Sequence, residues 1–351
     1  MSDRGVLLVN LGSPASPAPG DVRRFLREFL MDGRVLDLPW LVRLAVVELA
    51  ILPRRTGASA SAYREIWTPE GSPLVVSGGR LAAAVERGAG LPVELGMRYQ
   101  EPSIGGAIGR LVGRGVRQVL VVPLFPHYAM SSYETAVERV REVALRRAPA
   151  IRFEFVPPYY DYPRYIEALV ASAEEPMRAG FDHLLFSFHG LPERHLRRSD
   201  PTGSHCLRRA DCCEVPSVAH GTCYRHQCLR TVRAFVAAAG VAEGKTSVAF
   251  QSRMGKDPWL QPSTECELER LARGGVRRLL VLCPAFVADC LETIEEIGVR
   301  GRERFLAAGG GEFIRVPCLN EHPLWIRAVV GMVERFMAGG RLQAAEVNSS
   351  S

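Results

Sequence analysis

Lysine is nearly missing from this chain: Lys245 and Lys256 are the lysines among 44 basic residues, and the rest are arginine. The bias reads as genome composition rather than as a nucleic-acid surface, because no basic run carries interleaved aromatics and the formal charge is a modest +6. No nucleic-acid partner is expected. Long apolar runs are missing too. The most apolar region, 41–52, is broken by Arg43 and Glu48, so nothing is long enough to span a bilayer. The segment Met1-Ser2-Asp3-Arg4-Gly5 has neither a basic region nor a long apolar core, and 5–12 reads as a first strand rather than a signal peptide. A cytoplasmic protein is expected. There the nine cysteines are thiols or metal ligands before they are disulfides.

What is present is alternation. Apolar runs of strand length at 6–12, 93–99, 116–122, 151–156, 184–186, 247–251, 277–282 and 312–316 are separated by helical segments. The helices are expected at about 21–31 (capped by Asp21), 103–112, from 131, from 163, 229–239, 264–272, 291–306 and from 323, with 39–52 an apolar helix or lip. Strand–helix alternation predicts an α/β fold with doubly wound parallel sheets. The order also repeats: 115–122 resembles 275–282, Met97-Arg98 resembles Ser252-Arg253, and 7–14 resembles 185–192. Two Rossmann-like halves related by a pseudo-repeat are therefore expected, over 1–156 and 157–320, with a last helix and tail over 321–351. On this matching Leu11 stands where His189 stands in the other half.

Chemistry gathers in the second half. Phe186-Ser187-Phe188-His189-Gly190-Leu191-Pro192 ends a strand on a histidine and then turns sharply, which displays an imidazole at the carboxyl edge of a sheet, where ligands sit. Taken alone, such a histidine is more often a satisfied core residue. Cys290-Leu291-Glu292-Thr293-Ile294-Glu295-Glu296-Ile297 follows the 277–282 strand. Glu292 and Glu296 share a helix face that starts on the same sheet edge as His189. A histidine and carboxylates over one cleft can take protons or hold a divalent cation. The loop at 251–260 carries Trp259, either a packed turn or the wall of a pocket for a flat ligand. Cys206, Cys212, Cys213, Cys223 and Cys228 crowd one segment with His205, His220 and His226. Inert thiols, a mixed Cys/His zinc site and an iron–sulfur cluster all remain open, with thiolate density favouring the last. The adjacent pair Cys212-Cys213 is awkward, since neighbouring side chains diverge.

Together with Val9-Asn10-Leu11-Gly12-Ser13-Pro14, Pro53-Arg54-Arg55, Gly71-Ser72-Pro73-Leu74, Met97-Arg98-Tyr99, Gln251-Ser252-Arg253 and Pro258-Trp259-Leu260, these motifs resemble the ferrochelatases over nearly the whole chain. Those enzymes insert ferrous iron into a porphyrin at the end of haem synthesis. The resemblance implies two Rossmann-type domains with the porphyrin in the cleft between them. It implies His189 and Glu292 at the metal-insertion site and Glu296 in an acidic path behind them. It also implies an active-site lip at about 36–55, a peripheral contact with the inner face of the membrane through that lip, and Leu11, Arg54, Arg55, Ser72 and Trp259 as porphyrin contacts, the arginines pairing with propionates. Members acting on coproporphyrin carry Tyr at the position of Leu11, so Leu favours protoporphyrin IX. An insertion at about 202–223 resembles those that bind a [2Fe–2S] cluster, here on Cys206, Cys212, Cys213 and Cys223, with Cys228 ranked fifth. The alternatives are a chelatase loading another tetrapyrrole (coproporphyrin with iron, or a cobalt or nickel substrate) and a non-catalytic haem or iron–sulfur sensor. Oligomeric state leaves no mark in the sequence.

Overall fold

The computed structural model describes residues 3–253, 255 and 257–340. The expected tail from 341, and Met254 and Lys256 of the tryptophan loop, lie outside these residues. The described chain divides into two compact units, one of residues 3–124, 130–156 and 329–340, the other of 125–129 and, among the described residues, 157–328.

In the first unit β1 (Arg4–Gly12), β2 (Val93–Tyr99), β3 (Gln118–Pro123) and β4 (Arg152–Phe155) form a parallel sheet in the order β2-β1-β3-β4. Helices α1 (Pro19–Leu30), α2 (Trp40–Ala45), α3 (Leu52–Ile66), α4 (Pro73–Ala89), α5 (Ile104–Gly113) and α6 (Thr135–Arg147) complete it. Val6, Leu7, Leu8 and Val9 are all fully buried, as a continuous apolar run must be in a parallel sheet covered on both faces. Leu7 lies opposite Glu94 on one side and Val121 on the other. Pro19, not Asp21, opens α1; Asp21 sits in the first turn, where the helix dipole favours a carboxylate.

In the second unit β5 (His183–His189), β6 (Thr246–Gln251), β7 (Arg278–Leu282) and β8 (Glu312–Arg315) form a parallel sheet in the order β6-β5-β7-β8. Its helices are α7 (Pro163–Arg178), α8 (Glu193–Arg198), α9 (Tyr224–Ala239), α10 (Thr264–Arg273) and α11 (Arg302–Ala307). The last helix, α12 (Pro323–Met337), begins here, and its residues from 329 belong to the first unit.

The two sheets share one strand order, and the likeness extends to their edges. Ser103 and Ser263 accept hydrogen bonds from backbone amides to cap α5 and α10, and each follows a cis proline. A Cβ on Gly12 would lie 2.1 Å from the Tyr99 carbonyl oxygen, and one on Gly190 2.6 Å from that of Gln251. Glycine is therefore required wherever the central strand turns off beneath its neighbour. A π-helical turn follows the third strand in both units, at Met130–Glu134 and Glu292–Gly301. The sequence matching is out of register at one point. Met97 corresponds to Phe250, not Ser252: the amides of Met97 and Phe250 donate to the carbonyls of Pro102 and Pro262.

Candidate functional site

His189 is the last residue of β5 and is half-buried. Its Nδ1 lies 2.7 Å from the Gly190 carbonyl oxygen. A carbonyl only accepts, so Nδ1 donates here, and Nε2 is the ring nitrogen left to take a proton. Two features fix the turn that follows. The Gly190 amide donates to the Gln251 carbonyl at 2.7 Å. The tryptophan loop clasps the motif from below, with Glu193 N bonded to Pro258 O and Leu260 N to Leu191 O.

Trp259 itself is 8% exposed, and the Cβ position of Gly190 lies 3.2 Å from its ring. It packs beneath the histidine turn, which favours the packed-turn alternative over an open stacking face. Its indole nitrogen has no acceptor among the described residues.

Glu292 opens the π-helical segment Glu292–Gly301, a geometry often found where a helix serves function. Its backbone carbonyl accepts from Gln251 Nε2 at 3.2 Å. Glu296, one turn on, receives the Ser252 hydroxyl at 2.6 Å. Burial pushes the Glu296 carboxyl above the ordinary range, and the negative charge of Glu292 adds to this; the Ser252 bond and the nearby His189 work against it. Glu296 thus lies within electrostatic reach of both His189 and Glu292. Glu295 turns elsewhere, held by Arg300 through two bonds of 2.6 and 2.9 Å.

A buried polar chain supports this edge and was not foreseen from sequence. The Ser187 hydroxyl donates to Gln251 Oε1 at 2.7 Å and lies 2.8 Å from Thr264 Oγ1; all three residues are buried. Gln251 thereby links the histidine strand to the first residue of the glutamate helix. The available signal was a lone serine between Phe186 and Phe188, and a glutamine ending an apolar strand.

The cysteine segment folds so that Cys206, Cys212, Cys213 and Cys223 form one buried group with Ala219. Thiols meet as Cys206 with Cys223, Cys223 with Cys213, and Cys213 with Cys212. The Cys223 thiol is pushed up to about 12, first by its bond with Cys206 and then by burial, while that of Cys206 is lowered by its bond with Cys223. Cys228 lies apart on α9, fully buried, with its thiol against Tyr224. Among the described residues no cysteine is in a disulfide. Among the described residues no group of three or more His, Cys, Asp and Glu side chains is arranged to hold a single metal ion. A two-iron centre makes a different demand, because its four thiolates are divided between two irons rather than aimed at one point.

In the first unit Leu11 is half-buried at the end of β1, with its amide on Asn10 Oδ1. Ser72 is buried directly before α4. Arg54 and Arg55 are exposed on α3, and Arg54 Nη1 donates to the Ala50 carbonyl at 3.2 Å. Between them and α2 the chain is helical throughout, with a π-helical turn at Val46–Ile51. It exposes Trp40, Val42, Leu41 (71%) and Leu49 (78%). Among the described residues no helix is long and apolar enough to cross a membrane.

The family model described as "Ferrochelatase" matches residues 3–337. A ferrochelatase of Stutzerimonas stutzeri (strain A1501) is 52% identical over 340 residues, covering 95% of this chain and 98% of the relative. One of Ectopseudomonas mendocina (strain ymp) is 53% identical over 337 residues, covering 95% and 98%. Among solved structures, SirB from Bacillus subtilis with Fe3+ is 14% identical and covers 96% of each chain with a TM-score of 0.49.

Proposed function

The chain belongs to the ferrochelatase family, and from that premise we propose that it inserts ferrous iron into protoporphyrin IX at the edge formed by His189, Glu292 and Glu296. Porphyrin metallation is slow in water because the inner nitrogens face one another in a flat ring and two protons must leave. Binding energy from the periphery of the ring bends it, so that a pyrrole nitrogen points out of plane. His189 Nε2 then accepts a pyrrole proton. Glu292 strips water from the incoming iron and shares the proton load. Glu296, whose carboxyl burial holds above the ordinary range, stores a proton behind them. Iron enters as Fe2+ and stays Fe2+, two protons leave, and no electron is transferred. The observation that carries this reading is the His189–Gly190 bond, which orients a base within electrostatic reach of the Glu296 carboxyl.

Leu11 offers the product iron no ligand, which supports protoporphyrin over coproporphyrin as the substrate. The exposed apolar face of α2 and its π-helical continuation supports a lip that meets apolar substrate and the inner face of the membrane from the cytoplasm. Arg54 and Arg55 are proposed to pair with propionates. The buried four-thiol group supports a [2Fe–2S] cluster on Cys206, Cys212, Cys213 and Cys223, with Cys228 outside the set. Such a cluster supplies a one-electron couple, which iron insertion does not use.

The test is a pair of substitutions. His189→Ala and Glu292→Gln each reduce insertion by about 10²–10⁴-fold, the range of a lost general acid or base, while porphyrin binding survives. Near-normal turnover by the His189 variant would defeat the assignment.

A further inference from the structure

We infer that His205, His220 and His226 are positioning residues that clamp the Cys212–Cys213 peptide so that both neighbouring thiols face inward. The inference rests on reading this loop as an iron–sulfur site. Adjacent side chains ordinarily diverge, yet Cys212 and Cys213 are 2% and 4% exposed and lie in one buried group with Cys206 and Cys223. The carbonyl oxygens of both residues meet imidazole. Cys212 O lies 2.6 Å from His205 Nε2 and 3.0 Å from His220 Nε2. Cys213 O lies 2.8 Å from His226 Nδ1. A carbonyl accepts only, so all three ring nitrogens donate, and both lone pairs of Cys212 O are occupied.

The rings also support each other. His220 stacks on His226 with centroids 3.6 Å apart and planes 12° apart, and His205 meets His220 edge-on at 5.4 Å. They come from three separately anchored pieces of chain. The amides of His205 and Cys206 both donate to the Asp200 carboxylate at 2.8 Å. The carbonyl of His220 is held by Gln227 Nε2 at 3.2 Å. His226 belongs to the first turn of α9. Two successive peptides, each pinned at its carbonyl, hold the backbone of both cysteines in the orientation that turns their side chains inward. Outer groups of this kind commonly orient the residues that ligate a metal.

The ring atoms that donate give a selective test. A glutamine amide places its N–H near where an imidazole Nε2 stands, and an asparagine amide near where Nδ1 stands. Full-length protein is purified anaerobically and read by iron content, acid-labile sulfide and visible circular dichroism, with far-ultraviolet dichroism as the measure of folding. Wild type is expected to hold about two irons and matching sulfide per chain. His205→Ala, His220→Ala and His226→Ala are expected to lower sulfide several-fold. His205→Gln, His220→Gln and His226→Asn are expected to restore it, whereas His220→Asn and His226→Gln are not. That pattern of rescue does not follow from a general loss of folding. Alanine variants that keep wild-type sulfide and dichroism, or equal rescue by Asn and Gln at every position, would overturn the inference alone. Wild type without acid-labile sulfide would overturn the iron–sulfur reading and this inference with it.

Discussion

Replacing Gly190 by alanine probes the turn on which the proposed base depends. Gly190 has ordinary backbone torsions, so alanine meets no conformational penalty there. The obstacle is space. The new Cβ would stand 2.6 Å from the backbone oxygen of Gln251 and 3.2 Å from Cε3 of Trp259. Neither is the end of a flexible side chain, so the turn must move. Movement breaks the bond from Gly190 N to Gln251 O, worth about 1 kcal/mol net, and overpacking adds about 1–3 kcal/mol. The sum is a loss of about 2–4 kcal/mol, or a fall in Tm of about 4–16 °C for a unit of this size. Function should fall further than stability implies, because the Gly190 carbonyl is the acceptor that orients the His189 ring. Thermal melting and the insertion rate measured at a temperature where the variant is fully folded separate the two effects. A normal kcat despite a lowered Tm would refute the link from the turn to the base. Unchanged values of both would refute the close packing itself.

Glu296→Gln should raise Tm near neutral pH while lowering insertion. Burial raises the folded carboxyl above its unfolded value, so its favourable contribution is complete below the unfolded pKa and is lost as pH rises through the folded one; the difference from wild type should shrink in acid, and a destabilised glutamine variant at neutral pH would count against it. Asp32→Ala should lose about 3–5 kcal/mol by leaving the Arg98 guanidinium without its 2.5 Å partner. Desolvation pushes Asp32 up, but hydrogen bonds from Thr135 and the Arg34 amide, the charge of Arg98 and the Tyr99 hydroxyl hold it below the ordinary carboxylate range. Its stabilisation is therefore present above the unfolded carboxylate pKa and lost as pH falls through the lowered folded one, so variant and wild-type melting curves should converge only in strong acid; a gap that persists there would contradict this. Protoporphyrin should show the higher kcat/KM when compared directly with coproporphyrin, and the reverse order would remove the argument from Leu11.

The sheets were legible because buried parallel strands leave near-continuous apolar runs, such as 6–9 and 279–282, each closed by glycine or proline. The repeat was legible from the same runs. It slipped at Met97 because Pro102 comes five positions after Met97 while Pro262 comes twelve after Phe250, so the two edges cannot be aligned by counting. The helices α3 and α4 were not expected at all. Pro53 and Pro73 sit at helix starts, where proline is at home, and the small residues of Ser77-Gly78-Gly79 blur the apolar periodicity that marks a helix. His189, Glu292 and Glu296 could be singled out because strand and helix ends concentrate chemistry at one sheet edge. Gln251 and the stacked histidines could not. Their roles come from bonds across 41 residues in one case and from a loop fold in the other, and neither leaves a local pattern.

The most direct measurement is the visible spectrum of the protein mixed anaerobically with protoporphyrin and ferrous iron, for wild type and for His189→Ala side by side. Wild type should convert the free-base bands of the porphyrin to those of protohaem over many turnovers, while His189→Ala binds the porphyrin and leaves its free-base bands in place. Bound but unmetallated porphyrin on wild type, or equal conversion by both proteins, would contradict the account.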